Sequence, residues 1–93
     1  MNDLVNEHDS DTTIETMKER TDSFFRSINW EDRHDPKDLA MSISIEANEL
    51  LDYFNSKESP NLEKLREDED LRDEIEGEIG DIMIYLLRFA NVL

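Results

Sequence analysis

An all-α fold is predicted for this chain of 93 residues from two observations. Apolar residues recur three and four positions apart, and no segment alternates as a half-buried strand does. Only two glycines and two prolines interrupt the pattern. The length fits one small domain, which buries only about 60–65% of the surface that its unfolded chain exposes. Oligomerisation is therefore expected to complete the core.

The N-terminal part of the chain predicts a flexible acidic tail over residues 1–10 and a single domain over residues 11–93. Asp11 or Thr12 is the expected cap of a first helix, with Glu15 close behind. The segment that follows this helix, NWEDRHDPKD, is predicted to be a connecting loop. One side of the first helix is apolar and carries Ile14, Met17, Phe24, Phe25 and Ile28.

Two further helical segments are predicted after that loop. Asp35 followed by Pro36 is the usual cap and first position of a helix, which should continue to about Phe54. From Asn61 the chain is predicted to be helical again, with a break near EDED. Steps of three and four residues then predict a core stripe at Leu71, Ile75, Ile79, Ile82, Leu86, Phe89 and Leu93.

The composition excludes several classes of function. Twenty-five Asp and Glu against ten Lys and Arg give a net charge of −15, which repels nucleic acids and anionic membrane surfaces. The absence of cysteine excludes disulfides, thiolate metal sites and thiol nucleophiles. No secretion signal or apolar run of membrane-spanning length is found in the sequence, which fits a cytoplasmic protein.

The second and last helices contain a weak internal repeat. ISIEANELLDYF from Ile43 and IEGEIGDIMIYL from Ile75 place Ile, two acids and Tyr at matching positions, at a constant offset of 32 residues. At about 100° per residue, the acids lie about 60° and 120° to the same side of each Ile. If the two helices pack antiparallel through their Ile faces, they bring together Glu46, Glu49, Glu78 and Asp81.

These four acids differ from the many others in the chain because no Lys or Arg occurs from Asp38 to Ser56 or from Asp73 to Leu87. Half-buried carboxylates without a positive partner cost several kcal/mol unless they take up protons or bind a cation. Oxygen ligands without His or Cys favour a hard ion, Mg²⁺ or Mn²⁺. A solvated acidic flank is the alternative, and Gly77 and Gly80 provide either close helix packing or room for a ligand.

The paired motifs Glu46-x-x-Glu49 and Glu78-x-x-Asp81 resemble the signature of the MazG-like all-α nucleoside triphosphate pyrophosphohydrolases. The stretches FFRSINWEDRHDPKDLAMSISIEANELLDYF and EIGDIMIYLLRFANVL are similar to the family's two metal helices and the loop before the first. The resemblance covers about two thirds of the chain. It implies a helical bundle in which an antiparallel metal-binding pair packs with an N-terminal helix, as a homodimer or homotetramer.

The resemblance also implies an activity, hydrolysis of a nucleoside triphosphate between its α and β phosphates with Mg²⁺ as cofactor. The four acids would be the metal ligands, and Glu49 is the candidate for the catalytic proton acceptor. Trp30, His34 and Lys37 match positions that contact substrate in the family. A structural role also remains open for each of them. Trp30 would be a large core residue, His34 a hydrogen-bonding residue of the loop, and Lys37 a solvated residue of the first helical turn.

Other functions remain open beside this one. A phosphoribosyl-ATP pyrophosphohydrolase or a dimeric dUTPase of the same superfamily would use similar ligands. From a different class, an acidic helical module could bind basic partners without catalysis. Relatives continue past the second metal helix into a segment with phosphate-contacting residues, whereas this chain ends at Leu93. We therefore expect truncation of the domain, or a partner subunit that completes its site.

Overall fold

The computed structural model describes residues 8–30 and 35–93. A short 3-10 turn, Asp9–Asp11, precedes four helices in these ranges: α1 (Ile14–Ser27), α2 (Pro36–Asp52), α3 (Leu62–Glu67) and α4 (Glu69–Val92). No strand occurs within the described ranges. The predicted all-α fold is confirmed.

Each helix begins at a side chain that accepts a hydrogen bond from a first-turn backbone N–H. These caps are Thr13, Asp35, Asn61 and Asp68. The Asp35–Pro36 start and the break within EDED are therefore as predicted.

The first helix begins slightly later than Asp11 or Thr12 predicts. The Asp11 N–H donates to the carbonyl of His8 at 3.0 Å and closes the 3-10 turn, so the cap is Thr13. Part of the predicted tail, Asp9 and Ser10, lies in this turn, and residues 1–7 lie outside the described ranges.

The α2 and α4 helices form the centre of the molecule, and α1 and α3 pack on α4. Two polar contacts hold α1 in place: Arg88 Nη1 lies 2.7 Å from Asp22 Oδ1, and Asn91 Nδ2 donates to the carbonyl of Lys18 at 3.0 Å. Nearer the C-terminal end of α1 than these two contacts, Phe25 packs on Tyr85 with ring centroids 6.0 Å apart. The predicted N-terminal helix thus packs against the second acidic helix.

The core of the single chain is small. Among the described residues, the buried apolar side chains are Phe25, Leu39, Ile75 and Ile84. The predicted core stripe of α4 is only partly correct, because Ile75 is buried whereas Ile79 and Leu86 are about half exposed. Leu93 and Ile14 are also exposed. The helices α1 and α2 both contact α4, where Ile75 and Ile84 are buried and Ile79 stays exposed.

In the described part of the chain, no helix combines the length and the apolar character needed to cross a bilayer.

Candidate functional site

A row of polar side chains lines the contact between α2 and α4, and we call it the polar seam. It consists of Ser42, Glu46, Glu49 and Tyr53 on α2 and Glu74, Glu78, Asp81 and Tyr85 on α4. Tyr85 is hydrogen-bonded to Ser42, and Tyr53 is hydrogen-bonded to Glu74. Residue numbers rise along α2 as they fall along α4, so the pair is antiparallel, which is the condition under which the repeat gathers the four acids.

The seam has approximate two-fold symmetry. Each of its residues on α2 has its counterpart on α4 at the repeat offset of 32 residues. The Ser42–Tyr85 contact is thereby the counterpart of the Glu74–Tyr53 contact. The sequence repeat is therefore also a repeat in space, with each tyrosine reaching across to the opposite helix.

Three of the four predicted metal ligands converge on one point. Glu46, Glu49 and Glu78 each offer a carboxylate oxygen within 4.8 Å of the others. Asp81 lies outside this group but next to it, since burial and the charge of Glu49 raise its pKa above the ordinary value. The antiparallel packing thus gathers a carboxylate triad with a fourth acid at its edge.

Glu46 is the most perturbed of these acids. Its pKa is raised from 4.5 to about 7, first by burial, then by a hydrogen bond with Glu78 and by the charges of Glu49 and Asp81. Two carboxyl groups share a hydrogen bond only when one of them holds a proton. Near neutral pH the Glu46 carboxyl group is therefore partly protonated.

Glu78 supplies an oxygen that suits a cation. The buried Glu78 Oε2 has no hydrogen-bond partner among the described residues. A buried carboxylate oxygen without a donor costs roughly 1–3 kcal/mol or more. Because the neighbouring groups are acids, a hard divalent cation fits the oxygen donors present.

Two concave spaces flank the triad. An open cleft of about 350 Å³ is lined by Glu49, Asp52, Tyr53 and Glu78. A more enclosed cavity of about 200 Å³ has an aromatic and apolar wall, with two acids at its edge, and is lined by Phe24, Phe25, Ile28, Trp30, Glu46, Asp81, Ile84 and Tyr85. We call them the acidic cleft and the aromatic cavity.

The two spaces are counterparts under the repeat. Every residue of the acidic cleft has its counterpart, 32 positions away, in the aromatic cavity. The two spaces differ because α1 covers only the aromatic cavity. Ile84 is buried in that cavity, whereas its counterpart in the acidic cleft, Asp52, is exposed. The carboxylate of Asp52 keeps the cleft hydrated and open, and α1 supplies the aromatic wall of the cavity.

The end of α1 directs Trp30 towards the aromatic cavity. Asn29 has a φ of 58°, and its N–H donates to Arg26 O at 3.1 Å, while the Trp30 N–H donates to Phe25 O at 3.0 Å. This is the Schellman pattern of helix termination, in which Asn is one of the few residues that tolerate the left-handed conformation. Trp30 is 41% exposed and lines the cavity that Glu46 and Asp81 border.

Of the other two predicted substrate residues, the structure describes Lys37, and it lies away from the seam. Lys37 is exposed in the first turn of α2, nine residues before Glu46 and so about 13–14 Å away along the helix axis. His34 lies outside the described residues.

The glycines of α4 do not serve close helix packing. A Cβ added at Gly77 or Gly80 would meet nothing within 4 Å. Of the two explanations offered by the sequence, open space beside the seam agrees with this geometry.

Sequence reasoning missed two residues that shape the site, Ile84 and Asp52. The repeat offset of 32 residues could have identified them, because it aligns an apolar residue, Ile84, with an acid, Asp52. This difference distinguishes the aromatic cavity from the acidic cleft.

No protein-family model, curated protein or solved structure matches the chain. The all-helical fold, the carboxylate triad and the two spaces beside it are the features of the chain that bear on function.

Proposed function

We propose that the chain is a cytoplasmic, Mg²⁺-dependent nucleotide pyrophosphohydrolase of the MazG-like kind, which cleaves nucleoside triphosphates between the α and β phosphates. The observation that carries the proposal is the convergence of Glu46, Glu49 and Glu78 within 4.8 Å, beside an aromatic cavity. Nucleotides carry both groups that such a site suits, a metal-binding phosphate chain and a flat base. Clean-up of surplus or non-standard nucleotides is the expected role.

The metal ligands in this proposal are the carboxylates of Glu46, Glu49 and Glu78, with Asp81 at the edge of the group. The unpartnered Glu78 Oε2 supports a cation there. When bound, Mg²⁺ or its substitute Mn²⁺ supplies charge neutralisation of the phosphates and a lowered pKa of a coordinated water. The all-oxygen donor set suits both ions.

The chain's own residues have separate tasks. Glu49 is exposed and borders the acidic cleft, so it is the candidate that accepts the proton of the attacking water. Water adds at the α phosphorus as the bond to the bridging oxygen breaks, giving a nucleoside monophosphate and pyrophosphate. The base would occupy the aromatic cavity against Trp30. Lys37 and His34 are proposed as substrate contacts on the resemblance alone.

The experiment that tests this function measures pyrophosphate released from a panel of standard and modified nucleoside triphosphates, with and without Mg²⁺. We compare wild type with Glu49→Gln, and with Glu63→Gln as a matched control at an exposed position of α3 outside the seam. Loss of a general base lowers the rate by about 100-fold or more. We expect that loss in Glu49→Gln and wild-type rates in Glu63→Gln.

A chain that releases no pyrophosphate from any substrate with Mg²⁺ present would contradict the enzyme. If such a chain instead bound basic peptides through its acidic surface, the non-catalytic module would be favoured. Activity confined to dUTP or to phosphoribosyl-ATP would assign the chain to one of the related enzymes of the same superfamily.

A further inference from the structure

The aromatic cavity is lined by two kinds of group, aromatic rings and carboxylates. Its wall runs from the interior to the surface, because Phe25 is 2% exposed and Trp30 is 41% exposed. The ring planes of Phe24 and Tyr85 are inclined to that of Phe25 by 68° and 35°, so the wall presents ring faces as well as edges. A ligand in a space of about 200 Å³ lies in contact with this wall.

The cavity is also negatively charged. Glu46 and Asp81 border it, and none of its described lining residues is Lys or Arg. Both acids act on the aromatic wall, since the pKa of Tyr85 is raised first by burial and then by the charges of Glu46 and Asp81. A cation that enters the cavity is therefore attracted, whereas an anion is repelled.

Asp81 is the carboxylate most available to such a ligand. It lies outside the triad of Glu46, Glu49 and Glu78, whose oxygens converge within 4.8 Å. A divalent cation held by the triad offsets the charge of Glu46. Asp81 still provides a negative charge beside the cavity when the triad is occupied.

The acidic cleft does not combine these features. Glu49, Asp52 and Glu78 supply its carboxylates, and Tyr53 is the one aromatic residue among its described lining residues. Carboxylates alone suit an inorganic cation. An aromatic wall beside a carboxylate suits an organic cation, which gains cation–π attraction as well as charge pairing. The two spaces therefore suit different ligands.

We propose that the aromatic cavity selects a positively charged base, so that the substrates of the chain are nucleoside triphosphates whose base is a cation through alkylation of a ring nitrogen. This substrate class rests on the proposed function, which accounts for the phosphate end of the molecule. A flat cation stacks on Trp30 as a neutral base does, and it gains cation–π attraction and the charge of Asp81 in addition. Standard bases are neutral near neutral pH and gain only the stacking.

The test uses nucleosides, which have no phosphates, in a buffer with a chelator, so that metal binding and hydrolysis do not contribute. Two pairs of isomers separate charge from shape: 1-methyladenosine and 3-methylcytidine are cations near neutral pH, and N6-methyladenosine and 5-methylcytidine are their neutral isomers. Trp30 is the chain's single tryptophan, so quenching of its fluorescence reports occupancy of the cavity. We expect the cation of each pair to bind at least about tenfold more tightly.

Two variants locate the charge and the ring that act on the ligand. Asp81→Asn removes the charge with little change of shape, and Asp73→Asn is its matched control at an exposed position of α4 outside the cavity. Phe24→Leu removes a ring from the wall, and Phe54→Leu is its matched control, because Phe54 is half-buried outside the cavity. We expect Asp81→Asn and Phe24→Leu to weaken binding of the cations by at least about fivefold, and the controls by less than about twofold.

Equal binding of the two isomers of each pair overturns the proposal, as does the absence of nucleoside binding at millimolar concentration. An equal loss in a variant and its control, with helix content unchanged by circular dichroism, also overturns it. If one variant loses helix content, the other decides. Displacement of 1-methyladenosine by an equal concentration of tetramethylammonium would replace the flat base with an alkylammonium ligand.

Failure of this inference is distinguishable from failure of the proposed function. Cation-selective nucleoside binding by a chain that releases no pyrophosphate supports the selectivity of the cavity and contradicts the hydrolase. Pyrophosphate release from standard nucleotides, without preference for cationic nucleosides, supports the hydrolase and overturns the inference.

Discussion

Glu46 and Glu78, which occupy matching positions of the repeat, bring carboxylate oxygens within 4.8 Å of each other across the seam between α2 and α4. The pKa of Glu46 is raised from 4.5 to about 7, first by burial and then by a hydrogen bond with Glu78, which needs a proton. A carboxyl group with a raised pKa in the folded state stabilises the protein below its ordinary pKa. That stabilisation is lost as pH rises through the raised value.

The first prediction concerns pH. Without divalent cations, the melting temperature should fall as pH rises from about 5 to about 8. Mg²⁺ should reduce that fall, because a cation replaces the proton among the ionised carboxylates. Thermal unfolding in chelated and Mg²⁺-containing buffers measures both effects. Glu46→Gln, which keeps a neutral side chain, should flatten the pH dependence, and an unchanged slope would show that Glu46 is not responsible.

The second prediction concerns Asn29, whose φ of 58° ends α1. A β-branched residue resists this conformation, so Asn29→Val should lower the free energy of unfolding by about 1–2 kcal/mol. Asn29→Gly should remain close to wild type, since glycine adopts the conformation freely. Trp30 is the chain's single tryptophan, so its fluorescence in denaturant titrations reports both stability and local environment. Equal destabilisation by Val and Gly would contradict the role of the left-handed backbone.

The helix starts could be predicted from the sequence where one strong cap was present. Asp35 followed by Pro36 and the break at Asp68 both appear as predicted. The first start was displaced because several adjacent side chains compete as caps, and Thr13 is the one whose oxygen meets a first-turn N–H. Local hydrogen-bonding chemistry is readable from sequence when a single candidate is available.

The core stripe of α4 was harder to predict for a different reason. Periodicity shows which side of a helix is apolar but not which neighbour covers it. Ile75 is covered within the chain, whereas Ile79 and Leu86 share the period and remain exposed. At the candidate site, the repeat predicted that the acids come together. The role of Ile84 could not be predicted, because it depends on α1 packing on only one of the two matching spaces.

The third prediction concerns that one-sided cover. Ile84→Ala removes a buried side chain beneath α1 and should cost about 2–5 kcal/mol. Its repeat counterpart gives a matched control, since Asp52→Ala alters an exposed residue and should change stability by less than about 0.5 kcal/mol. Chemical denaturation followed by circular dichroism gives both values. Similar costs at the two positions would mean that the acidic cleft is packed as tightly as the aromatic cavity.

The fourth prediction concerns the glycines of α4. Because an added Cβ meets nothing within 4 Å, Gly77→Ala and Gly80→Ala should each stabilise the chain by about 0.5–1 kcal/mol through helix propensity. If the open space serves a ligand, the same variants should lose pyrophosphate release while gaining melting temperature. A loss of stability would instead indicate that the helices need the glycines to approach each other.

No Lys or Arg occurs between Asp38 and Ser56 or between Asp73 and Leu87, the segments that carry the triad, and the chain's net charge is −15, which together have a kinetic consequence. The resulting field attracts divalent cations and slows the approach of polyanions, over a distance set by ionic strength. A bare nucleotide would therefore diffuse in against repulsion, whereas its cation complex arrives with much of that charge cancelled. Added monovalent salt screens this field. It should therefore accelerate capture of the bare nucleotide and slow capture of the free metal ion.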